Sequence, residues 1–203
     1  MIGVITGDVM HSQKLDPKVW LPELKRVLSR YGSEPVDWEI YRGDSFQLVV
    51  RPANALEAAF LIKACMKSFK PLDVRMAIGI GEKTYKALKV TESMGSAFVF
   101  SGMAFDKMKK RTLAIRTPWE DLDETLNLML DLATLTVNRW RPTTAEVVRA
   151  ALEHPDLNQK QLAARLGKPQ GNISAALRRA GFHVLENLMF YYRKKIIERC
   201  PDC

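Results

Sequence analysis

The stretch 159–177, QKQLAARLGKPQGNISAAL, constrains this chain's fold more than any other segment. It reads as two short helices that cross steeply around a tight turn. Such a crossing needs a small residue where the helices nearly touch and a link able to turn left-handed, and Ala163 and Gly167 meet those demands. From Gln159 the spacing runs four residues to Ala163, four more to Gly167 and six more to Ile173, with Leu162, Leu166 and Leu177 as further apolar anchors. Asn158 is placed to cap the first helix through its side-chain oxygen, and Pro169 suits the first turn of the second, where no intrahelical amide bond is lost. An ordinary helical hairpin inside a bundle would use many of the same residues.

This spacing resembles the helix-turn-helix superfamily throughout, and the resemblance implies an element that reads double-stranded DNA. With Ile173 and Leu177 facing inward, Gln170, Gly171, Ser174, Ala175 and Arg178 project from the second helix toward a major groove. Gln170 matches adenine, Arg178 matches guanine or phosphate, and Ser174 and Ala175 match phosphate or a thymine methyl. Gln159, Lys160, Lys168 and Arg179 are placed to clamp the DNA backbone, which positions a protein without reading sequence.

Composition is compatible with that partner. The chain has 203 residues and a formal net charge of +8, so a polyanion is a plausible ligand without being required. The charge is uneven: residues 1–117 carry 19 basic and 12 acidic side chains, residues 118–140 carry 1 and 5, and residues 141–203 carry 11 and 6. Two basic modules therefore flank an acidic connector. No apolar run approaches the roughly 20 residues needed to span a bilayer, and MIGVITGDVM has neither a basic leader nor a small-residue cleavage site, so a cytoplasmic protein is expected. Cys65 lies in an apolar helical stretch and reads as core. Cys200 and Cys203 form a lone CPDC, either a frayed reduced tail or half a zinc site completed by a second subunit.

Residues 1–117 alternate in type. The pattern predicts strands over 2–6, 36–41, 46–51, 73–81 and 112–116, and helices over 17–30, 54–69 and 97–110, with RGDS as a hairpin turn and 83–95 as a basic loop. That order packs as one sheet with helices on a face, a ferredoxin-like α+β arrangement with an added unit. Pro118 marks a boundary, giving three parts: 1–117, a connector helix over 118–141, and a helical region over 142–203 that ends in a helix over 182–197. On the connector, Leu122, Leu126, Met129, Ala133, Thr136 and Trp140 form one heptad-like seam and Leu128, Leu132 and Leu135 a second. One seam can pack within the chain. The other wants the tail helix or the same helix of a second subunit, and a homodimer is expected because helix-turn-helix proteins commonly pair half-sites.

Asp8 ends the first strand, in ITGDVMHS, and Asp44 sits in the hairpin turn, in YRGDSFQLVV. In a ferredoxin-like order the first strand lies antiparallel to the second hairpin strand, which brings Asp8 and Asp44 level. Two carboxylates held close repel unless a cation lies between them, and an oxygen-only pair suits Mg²⁺ or Mn²⁺ with phosphate oxygens completing the shell. Val9, Met10, His11 and Ser12, which join strand to helix, could offer backbone N–H groups and a hydroxyl to a nucleotide's polyphosphate. The simpler reading makes Asp8 a helix cap and Asp44 a turn residue.

ITGDVMHS and RGDSF resemble, at matching topological positions, the metal-aspartate segments of class III nucleotidyl cyclases and GGDEF-type diguanylate cyclases. Together with the terminal helix-turn-helix, the whole chain resembles the SatD family of bacterial proteins. The resemblance implies a palm-type nucleotide-binding fold with Asp8 and Asp44 as metal ligands. Two departures weigh against cyclisation. Ser45 stands where the GGDEF signature has glutamate, and MGSAFVFSGMAFDKM offers Ser96, Ser101 and Ala104 where class III cyclases place an asparagine and an arginine. The expectation is therefore a transcriptional regulator that senses a nucleotide or metal, with a metal-dependent nucleotidyl cyclase or transferase as the alternative.

Overall fold

The computed structural model describes residues 1–201; Asp202 and Cys203, and with them the CPDC reading, lie outside the described residues. The strands are β1 (Ile2–Met10), β2 (Trp38–Tyr41), β3 (Ser45–Val50), β4 (Asp73–Gly81) and β5 (Leu113–Arg116). The helices are α1 (Pro17–Leu28), α2 (Ala55–Lys67), α3 (Ser96–Lys107), α4 (Glu120–Val137), α5 (Pro142–Glu153), α6 (Gln159–Leu166), α7 (Gln170–Ala180) and α8 (Phe182–Arg199). The chain is α+β, and its strands form one mixed sheet in the order β2-β3-β1-β4-β5. The first four strands pair antiparallel and β5 joins β4 in parallel.

Alternation along the strands decides which helix covers which face. Ile5, Val9, Phe46, Leu48, Ile78 and Ile80 all point to the side packed by Trp20, Leu24 and Leu28 of α1 and by α2. On the opposite side β4 presents Ala77, Gly79 and Gly81, a row almost without side-chain bulk, and α3 settles there. A Cβ at Gly79 would lie 2.2 Å from the Ala97 carbonyl oxygen. Thr6 and Ser101 share a hydrogen bond of 3.0 Å across the same contact. Helices thus lie on both faces rather than one, because three small residues at alternate positions make room for a second layer. β1 also runs two residues past Asp8, so Asp8 lies within the strand instead of ending it.

The helix α2 is buried around almost its whole circumference, not along one side, including Lys63 and Cys65. Its outer side is covered by α5 and α8. Tyr192 of α8 donates its hydroxyl to the Pro52 carbonyl at 2.7 Å, and Arg193 pairs with Glu57 at 2.6 Å. Arg149 of α5 meets Glu23 of α1, while Arg26 reaches Glu153 at 2.6 Å. Hydrogen bonds from Arg149 hold the Glu23 carboxyl below its usual range. At Glu153 burial pushes upward, but hydrogen bonds from Arg149 and Arg26 prevail and hold it low. One continuous apolar core therefore runs from the sheet through α2 into α5 and α8.

The helix α4 runs along β5, the outermost strand on its side of the sheet. Asn127 accepts from the Ile115 N–H at 3.1 Å and donates to the Ile115 carbonyl at 2.8 Å, supplying the partners that an edge strand lacks. The buried stripe of α4 is Leu122, Leu126, Leu130 and Val137, continued by Trp140; Thr136 is exposed and Met129 only half-buried. A straight helix repeats every 3.6 residues, so a seam written with a 3.5 period drifts off the buried face over five turns. Leu128, Leu132 and Leu135, the second seam, are 63%, 62% and 62% exposed. No helix among the described residues is long and apolar enough to cross a membrane.

Candidate functional site

Two surfaces collect the chemistry-bearing residues. The first is the end of the sheet where β1 leaves and the β2–β3 hairpin turns. Asp8 sits opposite Ser45 in β3 and opposite Arg75 in β4. The Val9 N–H donates to the Asp44 carbonyl at 3.0 Å, which confirms that the two aspartates lie level at this end. Their carboxylates have separate partners. Arg75 donates to Asp8 Oδ2 at 2.7 Å, and the Ser12 hydroxyl donates to Asp44 Oδ2 at 2.6 Å. Arg75 is in turn stacked 5.1 Å from the centre of the Phe105 ring on α3. Burial pushes the Tyr41 phenol up, with Arg42 opposing and the Asp8 charge adding to the rise.

This environment bears directly on a divalent cation. Asp8 already has a positive partner in Arg75, and among the described residues no three His, Cys, Asp or Glu side chains converge. Mg²⁺ is usually held by one or two carboxylates with phosphate oxygens and water completing its shell, so the pair is sufficient in number, but the Arg75 guanidinium competes with a cation for Asp8. Of the four residues expected to meet a nucleotide, Val9 is buried with its N–H in the sheet and Met10 is the last residue of β1. His11 turns left-handed at φ 64°, and Ser12 begins a short 3₁₀ turn. Only His11 and Ser12 thus present backbone outside the sheet. Ser96 and Ser101, at the place of the cyclase asparagine and arginine, both serve the fold: Ser96 accepts from the Glu82 N–H at 2.8 Å, and Ser101 bonds Thr6. Strand alternation in DVRMAIGIG is the sequence signal that puts Arg75 on the Asp8 face.

The second surface is α6, the turn and α7. Asn158 accepts from the amides of Lys160 and Gln161, both at 3.0 Å, while the Gln161 side chain accepts from the Asn158 N–H at 2.9 Å, closing a capping box. Gly167 turns at φ 61° and ψ 33°. Pro169 caps α7, immediately before its first helical residue, Gln170. Leu162, Ala163 and Ile173 are buried together against Val147, Ala150 and Ala151 of α5. The sequence signals for α5 itself are Pro142 at a helix start and the spacing of Ala145, Val148 and Leu152, but nothing local specifies its contact with α6 and α7.

Around this core Gln159, Lys160, Gln170, Gly171, Ser174 and Arg178 are exposed and Ala175 is half-buried. Gln159, Ser174 and Arg178 line one cleft, so the start of α6 and the outer side of α7 share a surface. Two of the expected clamps are placed differently. Lys168 is paired with Glu146 of α5, and Arg179 lines a separate pocket with Arg139 and Arg141. No protein-family model, curated protein or solved structure matches this chain.

Proposed function

We propose that this protein is a DNA-binding transcriptional regulator of the SatD family. In this reading α6 and α7 contact duplex DNA, and the sheet, with a palm-like arrangement, receives a nucleotide or metal signal near Asp8, Asp44, His11 and Ser12. The observation that carries the reading is the surface shared by α6 and α7. A capped helix, a left-handed glycine turn and a second helix present Gln159, Lys160, Gln170, Ser174 and Arg178 outward, and none of these side chains is held by an ion pair among the described residues. Such an arrangement suits phosphate clamps beside groups able to read base edges. The exposed leucines of α4 support a homodimer, which would present two such surfaces.

The test is selection of preferred duplexes from a random pool, followed by binding measurements on Gln170→Ala with Arg178→Ala. Loss of about tenfold or more in affinity for the selected duplex, with the melting temperature unchanged, is the expected result. Equal retention by the double variant would remove DNA reading from α7. The alternative, a metal-dependent cyclase or transferase, rests on Asp8 and Asp44 alone, and Arg75 beside Asp8 favours recognition over turnover.

A further inference from the structure

Where the connector meets the helical region, the structure forms a pocket of about 680 Å³ between the end of α4, the start of α5 and the end of α7. Trp140 builds it: its indole Nε1 donates to the Ala180 carbonyl at 3.2 Å, fastening the end of the connector to the end of α7. That contact gathers three arginines from distant positions, Arg139, Arg141 and Arg179, around one space. No carboxylate lines it, and none of the three arginines makes an ion pair among the described residues. The arginines on α1, α5 and α8 near other elements behave differently, since Arg26, Arg149, Arg193 and Arg199 are each matched with an acid.

A second observation points to a ligand. Thr144, in the first turn of α5, is only 6% exposed, yet its hydroxyl has no hydrogen-bond partner among the described residues. That oxygen retains some solvent access, because Trp20 Nε1 is the one fully buried, unpartnered side-chain atom among the described residues. Thr144 is also among the residues that line the pocket. Thr143 and Thr144 lie in the first turn of a twelve-residue helix, whose positive end is therefore at the pocket. Three guanidiniums, a buried hydroxyl donor and a helix start together form a receptor for an anion with at least two charges. Guanidinium forks match phosphate oxygens in particular.

We propose that this pocket binds a phosphate-bearing small molecule and thereby couples the connector to α7. The inference rests on the pocket alone and does not require that α6 and α7 bind DNA. A dianion bridging Arg139 of the connector and Arg179 of α7 would hold those two elements in one relative position. Arg178, one residue away, lines a different cleft, so ligand and outer surface lie on separate sides of the same helix.

The probe is pyrophosphate, with inorganic phosphate in parallel, titrated calorimetrically into the full chain in a phosphate-free chloride buffer. Saturable binding is expected, with a rise in melting temperature. Arg139→Ala, Arg141→Ala and Arg179→Ala should each weaken it about tenfold or more, while Arg165→Ala, an exposed cation outside the pocket, should leave it unchanged. Thr144→Val, which keeps shape and removes the hydroxyl, should weaken it without lowering the melting temperature of the unliganded protein. Equal loss in Arg165→Ala, or no loss in the pocket variants, would overturn the proposal. So would failure of pyrophosphate and phosphate to bind while the three arginine variants lose duplex DNA, an outcome that makes the pocket a seat for the DNA backbone. Persistence of pyrophosphate binding in the Gln170→Ala, Arg178→Ala protein, whether or not that protein retains DNA, supports it.

Discussion

Lys63 sits inside α2 at 2% exposure, donates to the Val74 carbonyl at 3.1 Å and lies 2.6 Å from Asp73 Oδ1. Burial lowers its pKa to about 8, although Asp73 opposes the shift. The folded value lies below the ordinary 10.5, so between those two pH values the unfolded chain binds more protons than the folded one. Stability should therefore rise across that window, by up to about 3 kcal/mol relative to Lys63→Met, in urea unfolding measured at pH 8 and 10.5. Parallel pH profiles for the two proteins would mean the ammonium is not desolvated. In the sequence Lys63 is one polar residue in an apolar run, and nothing local says that its helix is covered on every side. Gly167 is the opposite case. No atom lies within 4 Å of a Cβ built there, so its left-handed φ alone calls for glycine, and that requirement is legible from the spacing of its neighbours.

Among the elements, α4 shows most clearly how a helix can be foreseen while its orientation is not. Its start after Pro118 and its length follow from local signals, but the choice of which apolar face turns inward was made by the sheet edge. Asn127 takes both backbone groups of Ile115, and that pairing turns Leu122, Leu126 and Leu130 inward and leaves Leu128, Leu132 and Leu135 outside. Asn127→Ala should cost about 1–3 kcal/mol in thermal or urea unfolding, because it leaves an N–H and a carbonyl of the strand without partners. Unchanged stability in Asn127→Ala would show that water replaces the side chain without penalty. The α6–α7 unit needed no such arbitration, since its cap, its turn and its crossing residue all lie within ten positions of one another.

For the whole molecule, Leu132, one of the exposed leucines of α4, lines an apolar groove of about 470 Å³ shared with Val184, Leu188 and Tyr191 of α8. If a second copy covers this face, as the proposed dimer requires, Leu128→Glu with Leu132→Glu should halve the mass seen by light scattering and leave the fold intact. A wild-type monomer at the same concentration would exclude that interface. Both positions are more than half exposed in the monomer, so stability should change little on that account. What the sequence by itself determined were the features closed by neighbours along the chain: the order of strands and helices through residue 117, the antiparallel pairing of β1 with β3, the Asn158 cap, the Gly167 turn and the outward positions of Gln159, Lys160, Gln170, Gly171, Ser174 and Arg178. Only the tertiary structure decided that three small residues of β4 admit α3 to the second face, that Arg75 occupies Asp8, that Glu146 takes Lys168 and that Arg139, Arg141 and Arg179 surround one pocket. The physical reason is range. Caps, turns and periodicity depend on contacts a few residues apart, whereas the partner of a buried charge or the occupant of a sheet face depends on which distant surfaces pack together.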